Sequence, residues 1–178
     1  MNGHIQDEIQ KREPKTSFAQ RTLIFRNNGD GSFVELGKKV GKPFSDPMVG
    51  RGAAWGDVEN NGKLWLLLTG NTGPARLLKN VTKTDNHWLT LRLIGVKSNR
   101  DGIGATVLVR SGGTTRRTMV RSGSSYLSQS DLRPHFGLGS STKVDVEVQW
   151  PSGAVSLLRD VAADHIWILR EGSVNLEK

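Results

Sequence analysis

The chain has 178 residues, enough for one large domain or two small ones. Apolar residues make up 35% and glycines number 21, a balance that suits a thin core in a strand-rich fold with many tight turns. Cysteine is absent and no segment approaches the roughly 18 apolar residues of a membrane span, so disulfides, thiol chemistry and a transmembrane helix are excluded.

The net charge of +8 invites an anionic partner. The charge is spread out, however. Lys38, Lys39 and Lys42 form one loose group, and Arg116, Arg117 and Arg121 another. Neither is a dense run, and neither alternates with aromatic residues as single-strand nucleic-acid binders do. This balance reads first as a solvated basic surface. Polyanion binding, with nucleic acid or an anionic polysaccharide as partner, is the alternative.

Residues 1–22 are polar and unpatterned and read as an arm or the remnant of an upstream element. The start, M-N-G-H-I-Q-D-E, has neither a basic nor an apolar stretch, so no signal peptide is visible. Residues 23–36, L-I-F-R-N-N-G-D-G-S-F-V-E-L, place two β-type runs around a turn rich in Asn, Asp and Gly, which predicts a hairpin. Three breakers, Gly41, Pro43 and Pro47, make residues 38–49 a loop. Residues 51–71 then give a small-residue strand, an acidic glycine turn at 57–62 and an apolar strand at 64–69. The run W-L-L-L does not alternate, which predicts burial on both faces. Residues 75–81 return as another strand, completing one four-stranded antiparallel unit.

The polar run T-K-T-D-N at 82–86 marks a boundary. Beyond it, residues 87–95 alternate Trp88, Thr90 and Arg92 against Leu89, Leu91 and Leu93, the pattern of a half-buried strand. Further strands are predicted at 105–110, 115–121, 145–150, 154–158 and 165–170, with a short turn at Gly112-Gly113. Six such strands suggest a sandwich or an open barrel.

Several ordered elements of this second half resemble the ASPIC/UnbV family. They are H-W-L at His87, N-R-D-G-I-G-A at Asn99, S-G-S-S-Y-L-S-Q-S-D at Ser122, H-F-G-L-G at His135, W-P-S-G at Trp150 and D-V-A-A-D-H-I-W-I-L-R-E-G at Asp160. The earlier L-I-F-R-N-N-G-D-G-S-F and G-R-G-A-A-W-G-D-V-E-N-N-G-K-L-W-L-L-L resemble an FG-GAP/VCBS-type β-propeller repeat. The resemblance implies an all-β chain: an antiparallel propeller-type blade over residues 23–86, a small β-sandwich over 87–172, and a tail at 173–178. It also implies an extracellular or cell-envelope setting, and the C-terminal end of a longer protein or an assembly in which other chains complete the propeller.

The turn at 57–62 has oxygen donors at its first, third and fifth positions and Gly at its sixth, a spacing that can aim three side chains at one hard cation. The propeller repeats it resembles bind calcium through D-x-D-x-D-G-x-x-D. Here Glu59 is longer, Asn61 is neutral, and Trp65 stands where the closing carboxylate belongs. One reading is a degenerate calcium site formed by Asp57, Glu59, Asn61 and the Lys63 carbonyl. The other is a metal-free turn whose Asp and Asn side chains cap their own backbone. Asn28 and Asp30 read as turn chemistry alone.

Residues 122–131 form the most display-like segment. Tyr126, Gln129, Ser130 and Asp131 offer a ring for stacking and directional hydrogen bonds, which suit a sugar or a protein surface; a structural loop would use similar residues. No nucleophile elbow and no zinc-ligand spacing occur. Acid–base catalysis would require Asp101, Asp131 and His135 to converge. Otherwise Asp101 is an Asp-Gly turn, Asp131 a loop cap and His135 a packed residue. Trp150 reads as a core anchor. The reading that results is a non-catalytic binding or scaffold module for carbohydrate or protein partners. A hydrolase or accessory enzyme domain and a polyanion-binding module are the alternatives.

Overall fold

The computed structural model describes residues 2–37 and 39–178. The chain is all-β: thirteen strands accompany one 3-10 turn and a single helical turn among the described residues. It forms two compact units. The first takes in the described residues of Met1–Trp55, Trp65–Lys79 and Ser125–Gln129; the second comprises Gly56–Leu64, Asn80–Ser124 and Ser130–Lys178.

In the first unit, β1 (Phe25–Asn27) and β2 (Phe33–Glu35) form the predicted hairpin. Its turn works as the residue types require. Gly29 and Gly31 both lie at φ 86°, and the side chains of Asn27 and Asp30 accept the N–H groups of Gly29 and Ser32 at 2.8 and 2.9 Å. The next strands are β3 (Gly50–Gly56), β4 (Trp65–Gly70) and β5 (Arg76–Leu78). The four-stranded unit expected from the sequence is not what forms. The hairpin is a two-stranded sheet of its own, and β3-β4-β5 is a three-stranded sheet. Burial on both faces of W-L-L-L is also overturned. Leu68 is buried, but Leu67 and its cross-strand partner Leu77 are exposed. A three-stranded sheet here has one covered face, so the apolar run is half used.

The residues before β1 are less arm-like than their composition suggests. Ile9 is buried in a 3-10 turn, Gln20 bridges to Met48, and the Arg51 guanidinium donates to the carbonyls of Gly3 and His4. The predicted loop at 38–49 contains one helical turn, α1 (Lys42–Ser45), that buries Phe44 with Pro43 in its first turn.

The second unit is a sandwich. Its strands are β6 (His87–Ile94), β7 (Thr106–Ser111), β8 (Thr114–Met119), β9 (His135–Gly139), β10 (Lys143–Gln149), β11 (Val155–Ala162), β12 (His165–Arg170) and β13 (Leu176–Glu177). One sheet has the order β11-β10-β7-β8 and is antiparallel throughout. The other has the order β13-β12-β6-β9, with β6 and β12 parallel. Alternation sets the faces. Leu89, Leu91 and Leu93 of β6, Val107 and Val109 of β7, Val144, Val146 and Val148 of β10 and Leu169 of β12 share one buried core. Trp150 closes it, its indole N–H donating to the Ser156 hydroxyl at 3.0 Å. Gly112 and Gly113, both at positive φ, form the two-residue turn that pairs Ser111 with Thr114.

Two of these strands are absent from the sequence-based prediction. H-F-G-L-G is β9, an edge strand in which Phe136 and Leu138 point inward. β13 is only two residues long and lies against β12. β13 is too short to show a period of two, and in β9 the glycines hide an alternation carried by Phe136 and Leu138 alone.

Candidate functional site

The acidic turn belongs to the same compact unit as the sandwich. Asp57 is buried, and both its carboxylate oxygens accept backbone N–H groups, from Asn61 at 3.0 Å and Gly62 at 2.7 Å. Asn61 turns its amide oxygen onto the Lys63 N–H at 3.1 Å and its NH₂ onto Glu59 at 3.1 Å. Asn60 and Gly62 supply the positive φ angles, 52° and 83°, that let the chain fold back. The oxygens of Asp57 and Asn61 are thus directed onto the turn's own backbone, and Glu59 onto the Asn61 side chain. Among the described residues no cluster of three or more His, Asp or Glu side chains is arranged to hold a metal ion. Calcium asks for several oxygens around one centre; here the Asp57 carboxylate and the Asn61 amide oxygen each already serve backbone N–H groups.

Arg133 ties the turn down. Its guanidinium donates to Asn60 Oδ1 at 2.9 Å and to the Asp57 carbonyl at 3.4 Å, while pairing with Asp131 at 2.6 to 3.0 Å. Trp88 lies against the same turn: a Cβ on Gly62 would strike its indole. Another neighbour of Trp88 is His135, stacked at 6.0 Å between centroids, whose Nδ1 is 2.8 Å from the Thr90 hydroxyl. Burial pushes the His135 pKa down, against the raising influence of Asp57 and Asp131. Asp131 is held below the usual carboxylate range: burial opposes ionisation, but the hydrogen bonds and charge of Arg133 outweigh it.

Beside these residues runs a groove of about 410 Å³, lined by His87, Trp88, His135 and Asp164 among others. Asp164 sits at φ 60° in the turn before β12. Its carboxylate meets His87 Nδ1 at 2.6 Å and accepts the Trp88 N–H at 3.2 Å. The H-W-L and D-H-I-W elements, far apart in sequence, are therefore two halves of one contact.

The display-like segment divides. Ser125–Gln129 belongs to the first unit. There the Ser125 hydroxyl accepts the Ala53 N–H at 3.2 Å, and Gly52 leaves room for Ser128 and the Tyr126 carbonyl. The Tyr126 ring is exposed, as is Leu127 at φ 46°. Gln129 is engaged within the structure. Ser130 lies in the second unit, buried, with its hydroxyl 2.8 Å from that of Ser124. Asp101 is exposed in the turn after β6, where Asn99 bonds Ile103 in both directions at 2.7 and 2.8 Å. It lines a different groove from His135. The three residues a catalytic reading requires thus split: Asp131 and His135 are neighbours, and Asp101 stands in another groove.

Sequence reasoning missed Arg133, Asp164 and Glu171. Glu171 is buried, and one of its oxygens accepts three successive N–H groups, from Val96, Lys97 and Ser98, each at 2.7 Å. The other accepts the hydroxyls of Ser98 and Ser152. Burial opposes its ionisation, yet these donors bring its pKa down to about 2. The only local hint is a charged residue in the E-G step that follows the largely apolar strand H-I-W-I-L-R.

These contacts involve many of the elements on which the family resemblance rests. Residues 95–176 match the family model described as ASPIC and UnbV. The match includes N-R-D-G-I-G-A, H-F-G-L-G and W-P-S-G; H-W-L falls just before it. Cartilage acidic protein 1 of Mus musculus is 29% identical over 153 residues, covering 81% of this chain and 22% of that protein. Its Homo sapiens counterpart is 30% identical over 150 residues, 79% of this chain and 21% of that protein. The Xenopus tropicalis protein of the same name is 31% identical over 123 residues, 66% of this chain and 18% of that protein. The chain spans about a fifth of the length of the curated relatives it matches. No helix among the described residues is long and apolar enough to cross a membrane.

Proposed function

We propose that this chain is a non-catalytic recognition module of an extracellular or cell-envelope protein, presenting a rigid sandwich to carbohydrate or protein partners. One observation carries this reading. The polar residues that acid–base chemistry would recruit are committed to structural contacts: Asp131 to Arg133, His135 to Thr90 and Trp88, Asp57 to two backbone amides. A general acid or base must instead reach a substrate atom directly or through one water. Similarity to the cartilage acidic proteins supports the extracellular setting.

Within the same reading, residues 23–81 are one FG-GAP/VCBS-type repeat, supported by the antiparallel β4–β5 pair that follows the acidic turn. The turn itself is a metal-free structural element. The test is turnover. The chain is incubated with chromogenic glycosides and esters beside an Asp131→Asn variant. No turnover by either protein is expected. Turnover by the parent chain that the variant lacks would replace this reading with the hydrolase one.

A further inference from the structure

Most arginines of this basic chain are engaged. Arg21 pairs with Glu35, Arg110 with Glu147, Arg133 with Asp131 and Arg159 with Asp145, while Arg51 and Arg76 donate to backbone carbonyls. Among the described residues Arg12, Arg26, Arg92, Arg100 and Arg116 are not engaged, and of these Arg92 and Arg100 stand together. Both are exposed, and neither side chain has a hydrogen bond or ion pair with any described residue. They line one groove of about 550 Å³, together with Ile94, Asp101, Ile168 and Arg170. Arg170 is only loosely held, with Nε 3.5 Å from Glu177 and both side chains about half exposed.

The parallel pairing of β6 and β12 builds this surface. Leu91, Leu93 and Leu169 point into the core, so Arg92, Ile94, Ile168 and Arg170 share the outer face. The register sets Arg92 opposite Ile168 and Ile94 opposite Arg170. Guanidinium and aliphatic groups thus form a checkerboard, and the turn after β6 adds Arg100 and Asp101.

From this juxtaposition we propose that the groove binds an acidic polysaccharide, a chain of sugar rings carrying carboxylate or sulfate groups. The inference deepens the recognition reading above and rests on it. Guanidinium forks match pairs of carboxylate or sulfate oxygens through paired N–H donors. The isoleucine methyls between them suit the apolar faces of pyranose rings. Asp101 on the rim accepts hydroxyl donors. No aromatic ring lines the groove, as base stacking would require.

The test is calorimetry on the full chain at low salt, where exposed charges are least screened. The probes are polygalacturonate for the carboxylate arm, dextran sulfate for the sulfate arm, neutral dextran and single-stranded DNA. At least one acidic glycan binds and neutral dextran does not. Arg92→Gln with Arg100→Gln weakens that binding about tenfold or more, the loss of roughly one charge-assisted contact. Arg92→Lys, which keeps the charge but not the fork, falls between. A charge-matched control, Arg26→Gln with Lys83→Gln, stays within about twofold of the parent. All these sites are exposed, so melting temperatures hold and the comparison remains valid. Equal losses in the two double variants would overturn the proposal in favour of diffuse charge. Absence of acidic-glycan binding, or DNA binding with the same dependence on Arg92 and Arg100, would also overturn it. None of these outcomes produces turnover, so failure here leaves the non-catalytic reading standing or falling on its own test.

Discussion

The two compact units solve the same problem differently. The sandwich buries whole strand faces: Leu89, Leu91, Val107, Val109, Val148 and Leu169 have no exposed surface at all. The first unit leaves Phe25, Phe33, Leu67 and Leu77 largely exposed and is tied by polar contacts, such as Arg21 to Glu35 and Arg51 to the carbonyls of Gly3 and His4. The difference teaches where stability resides. Each buried Leu or Val contributes about 1.5–3 kcal/mol relative to exposure, whereas an exposed polar tie contributes at most about 1. The sandwich is then the unit whose unfolding dominates a melting curve.

The sharpest way to break that contrast is a matched pair of truncations. Leu91→Ala, in a fully buried site, should cost about 2–5 kcal/mol in urea unfolding. Leu67→Ala, at an exposed site, should stay within about 0.5 kcal/mol. Comparable losses would mean that Leu67 lies on a covered face and that exposure does not separate the two sites.

The next test concerns the polar lock inside the sandwich unit. Glu171 has its pKa lowered from 4.5 to about 2 in the folded chain. Because the folded state holds the proton less tightly than the unfolded one, its contribution to stability is present above pH 4.5 and is lost as pH falls towards 2. Glu171→Gln should destabilise the chain at neutral pH, because an amide NH₂ would face N–H donors. It should also flatten the stability profile between those two pH values. An unchanged acid limb in urea melts at pH 2 to 5 would show that the nest of Val96, Lys97 and Ser98 amides does not depend on the charge.

A smaller effect is expected at Gly62. Alanine there must hold φ 83° and place its Cβ against the Trp88 indole, so about 1–3 kcal/mol should be lost. Gly29→Ala shares the positive φ but has nothing within 4 Å of its Cβ, and it separates backbone strain from collision. Equal losses at both positions would mean that the contact between Trp88 and the turn adds nothing.

These residues also show what a sequence displays and what it conceals. Turn chemistry is local, so N-N-G-D-G and Gly112-Gly113 were legible from adjacent residues. So in part was the alternation of β6: its leucines face the core and Arg92 is exposed, but Thr90 on the outer face is buried beside His135. The polar locks join residues 73 to 76 positions apart, as Glu171 does with Ser98 and Arg133 with Asp57. No spacing rule reaches that far. The parallel register of β6 and β12 is equally non-local, and with it the arginine groove. W-L-L-L misled for a related reason: continuous hydrophobicity predicts two covered faces, but strand composition does not record how many layers are built around it.

The smallest effect expected is none, and it concerns the acidic turn. A loop that bound calcium with a Kd of about 10 µM would stabilise the chain by about 2.7 kcal/mol at 1 mM calcium, a shift of several degrees in melting temperature. Here Asp57 already satisfies two amides, Asn61 serves the Lys63 N–H, and Trp65 stands in the closing position. Each Asp57 oxygen keeps a second lone pair, but a cation there would also need Glu59 and Asn61, whose side chains are bonded to each other, to turn towards it. Thermal unfolding in calcium and in chelator should therefore coincide. A calcium-dependent rise that Asp57→Asn abolishes would show that the turn rearranges around a cation and that the sandwich unit has a metal lock beside its polar ones.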